Sequence, residues 1–290
     1  MEGDRGGVMQ DSRRRVKSFR PGPPVERSRR QRRENRRHPG EQEQSGTGCY
    51  HVNVGAGEPV PPRALNVMNK PKRPRSAADR QARLSAILAA FDQRYPGATC
   101  ALHHGDAWQL LVATILSAQC TDERVNKVTP GLFRKYPTIA DFASANLNEL
   151  AKDIYSTGFF NNKAKSIIGA ARTILEEFGG EIPRGIDELL TVPGCARKTA
   201  NVVLGTAFGI ASGVVVDTHV TRISARLDLT KEDNPGKIER DLVKILPQNR
   251  WISFSHQVIL FGRELCKARQ PKCFECPIET LCYAKDKLPC

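Results

Sequence analysis

Leu190-Thr-Val-Pro-Gly-Cys-Ala-Arg-Lys-Thr-Ala200 reads as the end of one helix, a tight turn, and the start of another; Val216-Asp-Thr-His-Val220 follows it. Pro193 presets φ for the turn, and Gly194 can take the positive φ that other residues avoid. The second helix begins at Arg197 and presents free backbone N–H groups there. With the helix dipole behind them, those groups form a seat for a phosphate. Lys198 and Thr199 stand beside that seat. A Pro-Gly turn followed by a solvated lysine is common by itself, so the rest of the chain must decide.

Towards the N-terminus, Lys163 to Phe178 carries Ile167, Ile168, Ala171, Ile174 and Leu175 at helical spacing and stops at Gly179-Gly180. Thr138 and Asn146 suit the caps of two short helices, the second ending near Gly158. Thr121 is a third cap, with Asp122 and Glu123 in the first turn. Trp108 to Ser117 is apolar on nearly every face, which predicts a helix inside a bundle. Leu84, Ile87, Leu88, Phe91 and Tyr95 mark an earlier helix that Pro96-Gly97 stops. Towards the C-terminus, Ile238 to Leu246 and Trp251 to Leu265 supply two more. Val214-Val-Val216 is the only strand-like run and is too short for a sheet. The class is all-α.

Residues 1–75 are rich in Arg, Gly, Pro, Glu and Gln, with basic runs such as Arg13-Arg-Arg15 and too few apolar residues for a core. They read as a disordered basic extension. Such an arm would raise non-specific nucleic-acid affinity through counterion release. The alternative is an over-extended reading frame, with Met68 as the true start. The net charge of +14 and pI near 9.6 over 290 residues point to a polyanionic partner. No run of about 20 apolar residues exists, and the Arg-rich start lacks a signal-peptide core, so a soluble intracellular protein is expected.

Nine cysteines, four of them near the C-terminus, suit a metal site in a reducing compartment better than a disulfide scaffold. Cys266, Cys273, Cys276 and Cys282 are spaced C-x6-C-x2-C-x5-C. Four thiolates can hold tetrahedral zinc or an iron–sulfur cluster. Only one C-x2-C hook is present where zinc ribbons have two, and the spacing also departs from the ferredoxin runs. Spacing alone leaves both metals open.

The hairpin run, Asp217-Thr-His219, Ser117-Ala-Gln119, Gly158-Phe-Phe-Asn-Asn-Lys163 and the four C-terminal cysteines occur in one order along roughly residues 76 to 284. In that order they resemble the endonuclease III family, bacterial DNA glycosylases and abasic-site lyases of the helix–hairpin–helix superfamily. The resemblance implies a six-helix lobe over 100–220 that contains the hairpin. It also implies a first helix over 76–99 packed with a C-terminal lobe over 221–290 that carries a 4Fe–4S cluster. Cys266, Cys273, Cys276 and Cys282 become the cluster ligands, in a structural role. Lys267, Arg269 and Lys272 lie on the first loop between ligands, where phosphates would pass. The implied partner is double-stranded DNA carrying damaged pyrimidines or abasic sites. The implied setting is a monomer in the bacterial cytoplasm at the nucleoid, with no membrane association.

An enzyme acting on a base within a duplex must extrude that nucleotide and fill the gap. By resemblance Gln119 enters the gap from one side and Phe159 from the other, where the family commonly has Leu. Gly194, Ala196, Arg197 and Thr199 become the phosphate-binding hairpin. Lys198 becomes the nucleophile that attacks the sugar C1′, expels the base and leaves the iminium needed for β-elimination. A free lysine titrates near 10.4, so about one in a thousand is neutral at pH 7.4, a cost of roughly 4 kcal/mol. Burial against DNA and the adjacent cation Arg197 are expected to favour the neutral amine. Asp217 becomes its partner, stabilising positive charge on the sugar or moving a proton, and is also a natural helix N-cap. His219 is expected to pack without a catalytic role. Ala196 stands where the family has a second Gly; if that position needs positive φ, it costs about 1 kcal/mol. Two alternatives remain, a monofunctional adenine–DNA glycosylase and a silent DNA-binding protein. The presence of Lys198 argues against both.

Overall fold

A computed structural model of the protein describes residues 73–288. The expectations for the basic extension, including Met68 as a start, lie outside the described residues, apart from 73–75. So do Cys49 and Cys290. Among the described residues the regular structure is entirely helical. No helix is long and apolar enough to cross a membrane among those residues.

The first helix, α1 (Ala77–Arg94), opens on a Ser76 capping box and buries Leu84, Ile87, Leu88 and Phe91. α2 (Ala107–Leu116) is buried along almost its whole length, as its apolar composition predicts. Thr121, Thr138 and Asn146 cap α3 (Asp122–Lys135), α4 (Ile139–Ser144) and α5 (Leu147–Asp153) through their side-chain oxygens. A 3₁₀ turn over Tyr155–Thr157 carries the chain from α5 to Gly158, so α5 is shorter than expected. α6 (Phe160–Phe178) starts three residues earlier than the apolar period indicated, and it ends on Gly179 in the left-handed region. α7 (Ile186–Thr191) and α8 (Arg197–Phe208) flank the hairpin. α9 (Thr218–Arg226) follows Asp217. α10 (Pro235–Ile245) begins ahead of its apolar run because Asn234 caps it and Pro235 takes the first helical position. α11 (Trp251–Glu264) starts at the expected tryptophan.

The helices build two hydrophobic cores. One gathers side chains from α2 to α8, among them Leu110, Leu111, Phe142, Ile154, Ile167 and Val203. The other joins α1 to α9, α10 and α11 through Phe91, Ile223, Leu242, Phe254 and Phe261. At roughly 1.5–3 kcal/mol for each large apolar side chain fully withdrawn from water, both are substantial. Val214-Val-Val216 makes no sheet. It runs extended between the two cores, with Val215 entering the first while Val214 and Val216 enter the second. Alternation along an extended backbone places successive side chains on opposite faces. This short run delivers Asp217 to the junction of the two cores.

Candidate active site

The hairpin forms as its sequence predicts. Cys195 N–H donates to the Val192 carbonyl at 3.0 Å, closing a turn with Pro193 and Gly194 at its centre. Gly194 has φ +78°, and a Cβ there would lie 2.7 Å from the Ser166 Cβ on α6. Positive φ and close packing both require glycine at that position. Val192 and Cys195 point into the first core. Burial pushes the Cys195 thiol up to about 12, so it acts as a small apolar side chain.

Ala196 corrects one expectation. Its φ is −73° and its ψ 167°, ordinary extended geometry that alanine adopts without strain. The departure from glycine therefore carries no conformational cost. Ala196 is the N-cap of α8 and offers no side-chain bond. The first helical bond runs from Ala200 N–H to the Ala196 carbonyl at 2.9 Å. The N–H groups of Arg197, Lys198 and Thr199 are left facing outward, as an anion seat requires. Five of the earlier helices, by contrast, have a side-chain oxygen bonded at this end.

The three side chains of that first turn have different surroundings. Lys198 is exposed. Thr199 is buried. The Arg197 Nε donates at 2.7 Å to Oε2 of Glu239, a buried carboxylate on α10. This bond raises the Arg197 pKa and offsets its charge, which weakens the expected cationic pressure on Lys198. Glu239 Oε1 accepts from Asn201 Nδ2 at 2.8 Å, and Asn201 Oδ1 accepts from the Ser212 hydroxyl at 2.8 Å. An element of the second core thus grips the first turns of α8 at Arg197 and Asn201, on either side of Lys198. Nothing in the local sequence marks Glu239, which lies 42 positions from Arg197.

Asp217 caps α9. Its Oδ1 accepts the N–H groups of His219 and Val220, both at 2.8 Å, and among the described residues Oδ2 accepts none. His219 is half-buried beside Arg222, with its Nδ1 3.2 Å from the guanidinium. Burial lowers its pKa, Asp217 opposes that shift, and Arg222 and Arg263 add to it. The ring stays neutral and packs, as expected. Burial pushes the Cys100 thiol up, and the cations Arg263 and Lys198 oppose that shift. Asp122 on α3 and Arg263 on α11 are paired at 2.6 Å across the two cores.

Gln119 and Phe159 share an unusual backbone. Gln119 has φ 53° and Phe159 φ 48°, two of the four non-glycine residues at positive φ among those described. Such a conformation costs roughly 1–3 kcal/mol unless its surroundings hold it. Both side chains are exposed, Phe159 at 62%, so Phe159 is not a core aromatic.

Cys266 follows α11, while Cys273, Cys276 and Cys282 sit on or beside the 3₁₀ turns Cys273–Glu275 and Glu279–Leu281. All four line one cavity, together with Ile223, Phe261 and Ile278. Yet no three His, Cys, Asp or Glu side chains among the described residues are arranged to hold a single metal ion. Arg226 Nη1 lies 3.2 Å from Cys266 Sγ as a donor. Burial first, with the other three cysteines adding to it, pushes Cys276 up to about 12.

The family model described as the HhH-GPD superfamily base excision DNA repair protein matches residues 112–248. Endonuclease III of Synechocystis sp. is 57% identical over 208 residues, which is 72% of this chain and 95% of that relative. A solved non-covalent endonuclease III–DNA complex is 43% identical with a TM-score of 0.67, covering 70% of this chain and 94% of the other. A trapped endonuclease III–DNA covalent intermediate has the same identity and TM-score over 70% of this chain and 95% of its own. The chain belongs to the endonuclease III family, within the HhH-GPD superfamily of base excision DNA repair proteins.

Proposed function

We propose that this protein is a bifunctional DNA glycosylase and abasic-site lyase for oxidised pyrimidines, with Lys198 as nucleophile and Asp217 as its partner. The observation that carries the reading is an exposed lysine on the first turn of a helix whose N-cap offers no side-chain bond; Asp217, the cap of α9, keeps Oδ2 open among the described residues. Phosphate would sit on the N–H groups of Arg197 to Thr199, after the Gly194 turn and the Ala196 N-cap. The neutral Lys198 amine attacks C1′, and the C1′–N bond breaks as its electron pair leaves with the base. Opening of the sugar gives a C1′ iminium on Lys198. Loss of a C2′ proton then expels the 3′ phosphate by β-elimination, and water releases the lysine. Asp217 Oδ2 stabilises the positive charge at C1′ or receives a proton, while Oδ1 stays bound to α9. Gln119 and Phe159 would fill the gap left by the extruded nucleotide.

On the same reading, Cys266, Cys273, Cys276 and Cys282 hold a 4Fe–4S cluster that pins the C-terminal loop. All four lining one cavity supports that reading. Residues 100–220 would form the DNA-facing lobe, and the first helix with residues 221–290 the cluster lobe, in line with the two cores. The protein would act as a monomer at the nucleoid of a bacterial cytoplasm.

Borohydride trapping on a duplex with one thymine glycol tests the assignment. The wild type is expected to form a covalent adduct that Lys198→Ala abolishes, with the variant still binding the duplex. A wild type that binds but never crosslinks would favour the monofunctional or silent readings, and release of free base would separate those two.

A further inference from the structure

Lys163 is only 5% exposed, yet among the described residues its ammonium meets no carboxylate. Its Nζ donates to the Leu116 carbonyl at 2.7 Å and to the Thr157 carbonyl at 2.8 Å. Leu116 is the last residue of α2, and the chain runs from there through Ser117 and Ala118 to Gln119. Thr157 ends the 3₁₀ turn that leads through Gly158 to Phe159. One buried cation therefore ties together the roots of both loops whose tips hold exposed side chains at positive φ.

The position is otherwise a poor place for lysine. Burial lowers its pKa. It lies in the first turns of α6, where the helix dipole disfavours a cation. Methionine would fill the same space without a buried charge. What lysine adds is a pair of donors for carbonyls that their own turns leave open, one of them at the negative end of α2.

We infer that Lys163 is a positioning residue that holds the Gln119 and Phe159 loops in register, so that both side chains enter the duplex together when the nucleotide is extruded. This rests on the proposed wedge role of those two residues. Lys163 touches neither DNA nor the reacting atoms; it acts through the two carbonyls.

The test compares wild type with Lys163→Met in three measurements. The first is the fluorescence rise of 2-aminopurine placed opposite a thymine glycol, which reports unstacking of the duplex. The second is base release from that duplex. The third is borohydride trapping on an abasic site in single-stranded DNA, where no gap needs filling. Lys163→Met is expected to lose the fluorescence rise and at least tenfold in base release, with single-strand trapping within twofold of wild type. In a Gln119→Ala, Phe159→Ala background it should cause no further loss on the duplex, because the side chains it positions are gone. A parallel fall on duplex and single strand, or an undiminished fluorescence rise, would overturn the inference. If Lys163→Met does not accumulate as folded protein, the same measurements on Lys163→Gln, which keeps donors at shorter reach, decide on the same criteria. Failure of the wild type itself to trap the abasic site would instead overturn the proposed function.

Discussion

On the proposed reading, the N-cap of α8 is a single residue that favours binding over stability. Ser, Thr, Asp and Asn cap helices well and alanine poorly, yet alanine stands at position 196 in geometry that a capping residue would accept. A side-chain oxygen there would occupy the N–H groups that a phosphate needs. Ala196→Asp is therefore expected to stabilise the protein by about 1 kcal/mol, a rise of about 2–4 °C in Tm. It should also weaken duplex binding by occupying the seat and adding a negative charge. Thermal melting and a binding titration at fixed salt check the two effects. A variant that gains stability and still binds at wild-type strength would remove the α8 N-terminus from the interface. Asp217 resolves the same conflict differently, with one oxygen capping α9 and the other left open.

Between elements, the grip of α10 on α8 is the longest-range support of the lysine. Glu239 is buried and bonds Arg197 and Asn201, in the first two turns of α8 on either side of Lys198. Gly213 passes so close to Glu239 and Asn201 that no side chain fits there. Glu239→Ala would strand the Asn201 amide and free Arg197, at a cost of about 1–3 kcal/mol in stability. Trapping on an abasic duplex should slow several-fold as the first turn of α8 loosens. Melting and single-turnover trapping measure both. An unchanged melting temperature with an unchanged trapping rate would show that α8 holds its place without α10.

Across the whole molecule, the cysteine loop has little core of its own. After Leu265, Ile278 is the fully buried apolar side chain it contributes. Polar contacts support it, with Arg83 donating to the Leu281 carbonyl at 3.0 Å and Arg222 to the Cys266 carbonyl at 2.9 Å. Removing the proposed cluster with an oxidant and chelator is expected to loosen residues 266–288 first. Limited trypsin digestion read by mass spectrometry should then find new cuts at Lys267, Arg269 and Lys272, with most helical circular dichroism retained. The same cleavage pattern with and without iron would mean that the arginine contacts hold the loop unaided.

The helices and their caps were legible in the sequence because they depend on neighbours within one or two turns. Thr121, Thr138, Asn146 and Asp217 cap as read, Gly194 takes its positive φ, and the apolar spacing marks the buried faces. The ends of α5, α6 and α10 shifted where a 3₁₀ turn or a cap outweighed hydrophobic period. Whether Ala196 is strained could not be read from the sequence, because a residue type does not reveal its own φ; at −73° it carries none. Glu239, Lys163 and the Asp122–Arg263 pair were invisible for a different reason. Their partners lie 42, 47 and 141 positions away, so only the packing of the two cores brings them together. The sequence by itself determined the helices, the hairpin and the residue types available for chemistry, because those are local properties. The tertiary structure decided what grips the lysine, what joins the two loops and which charges are offset, because burial and distance are properties of the folded chain.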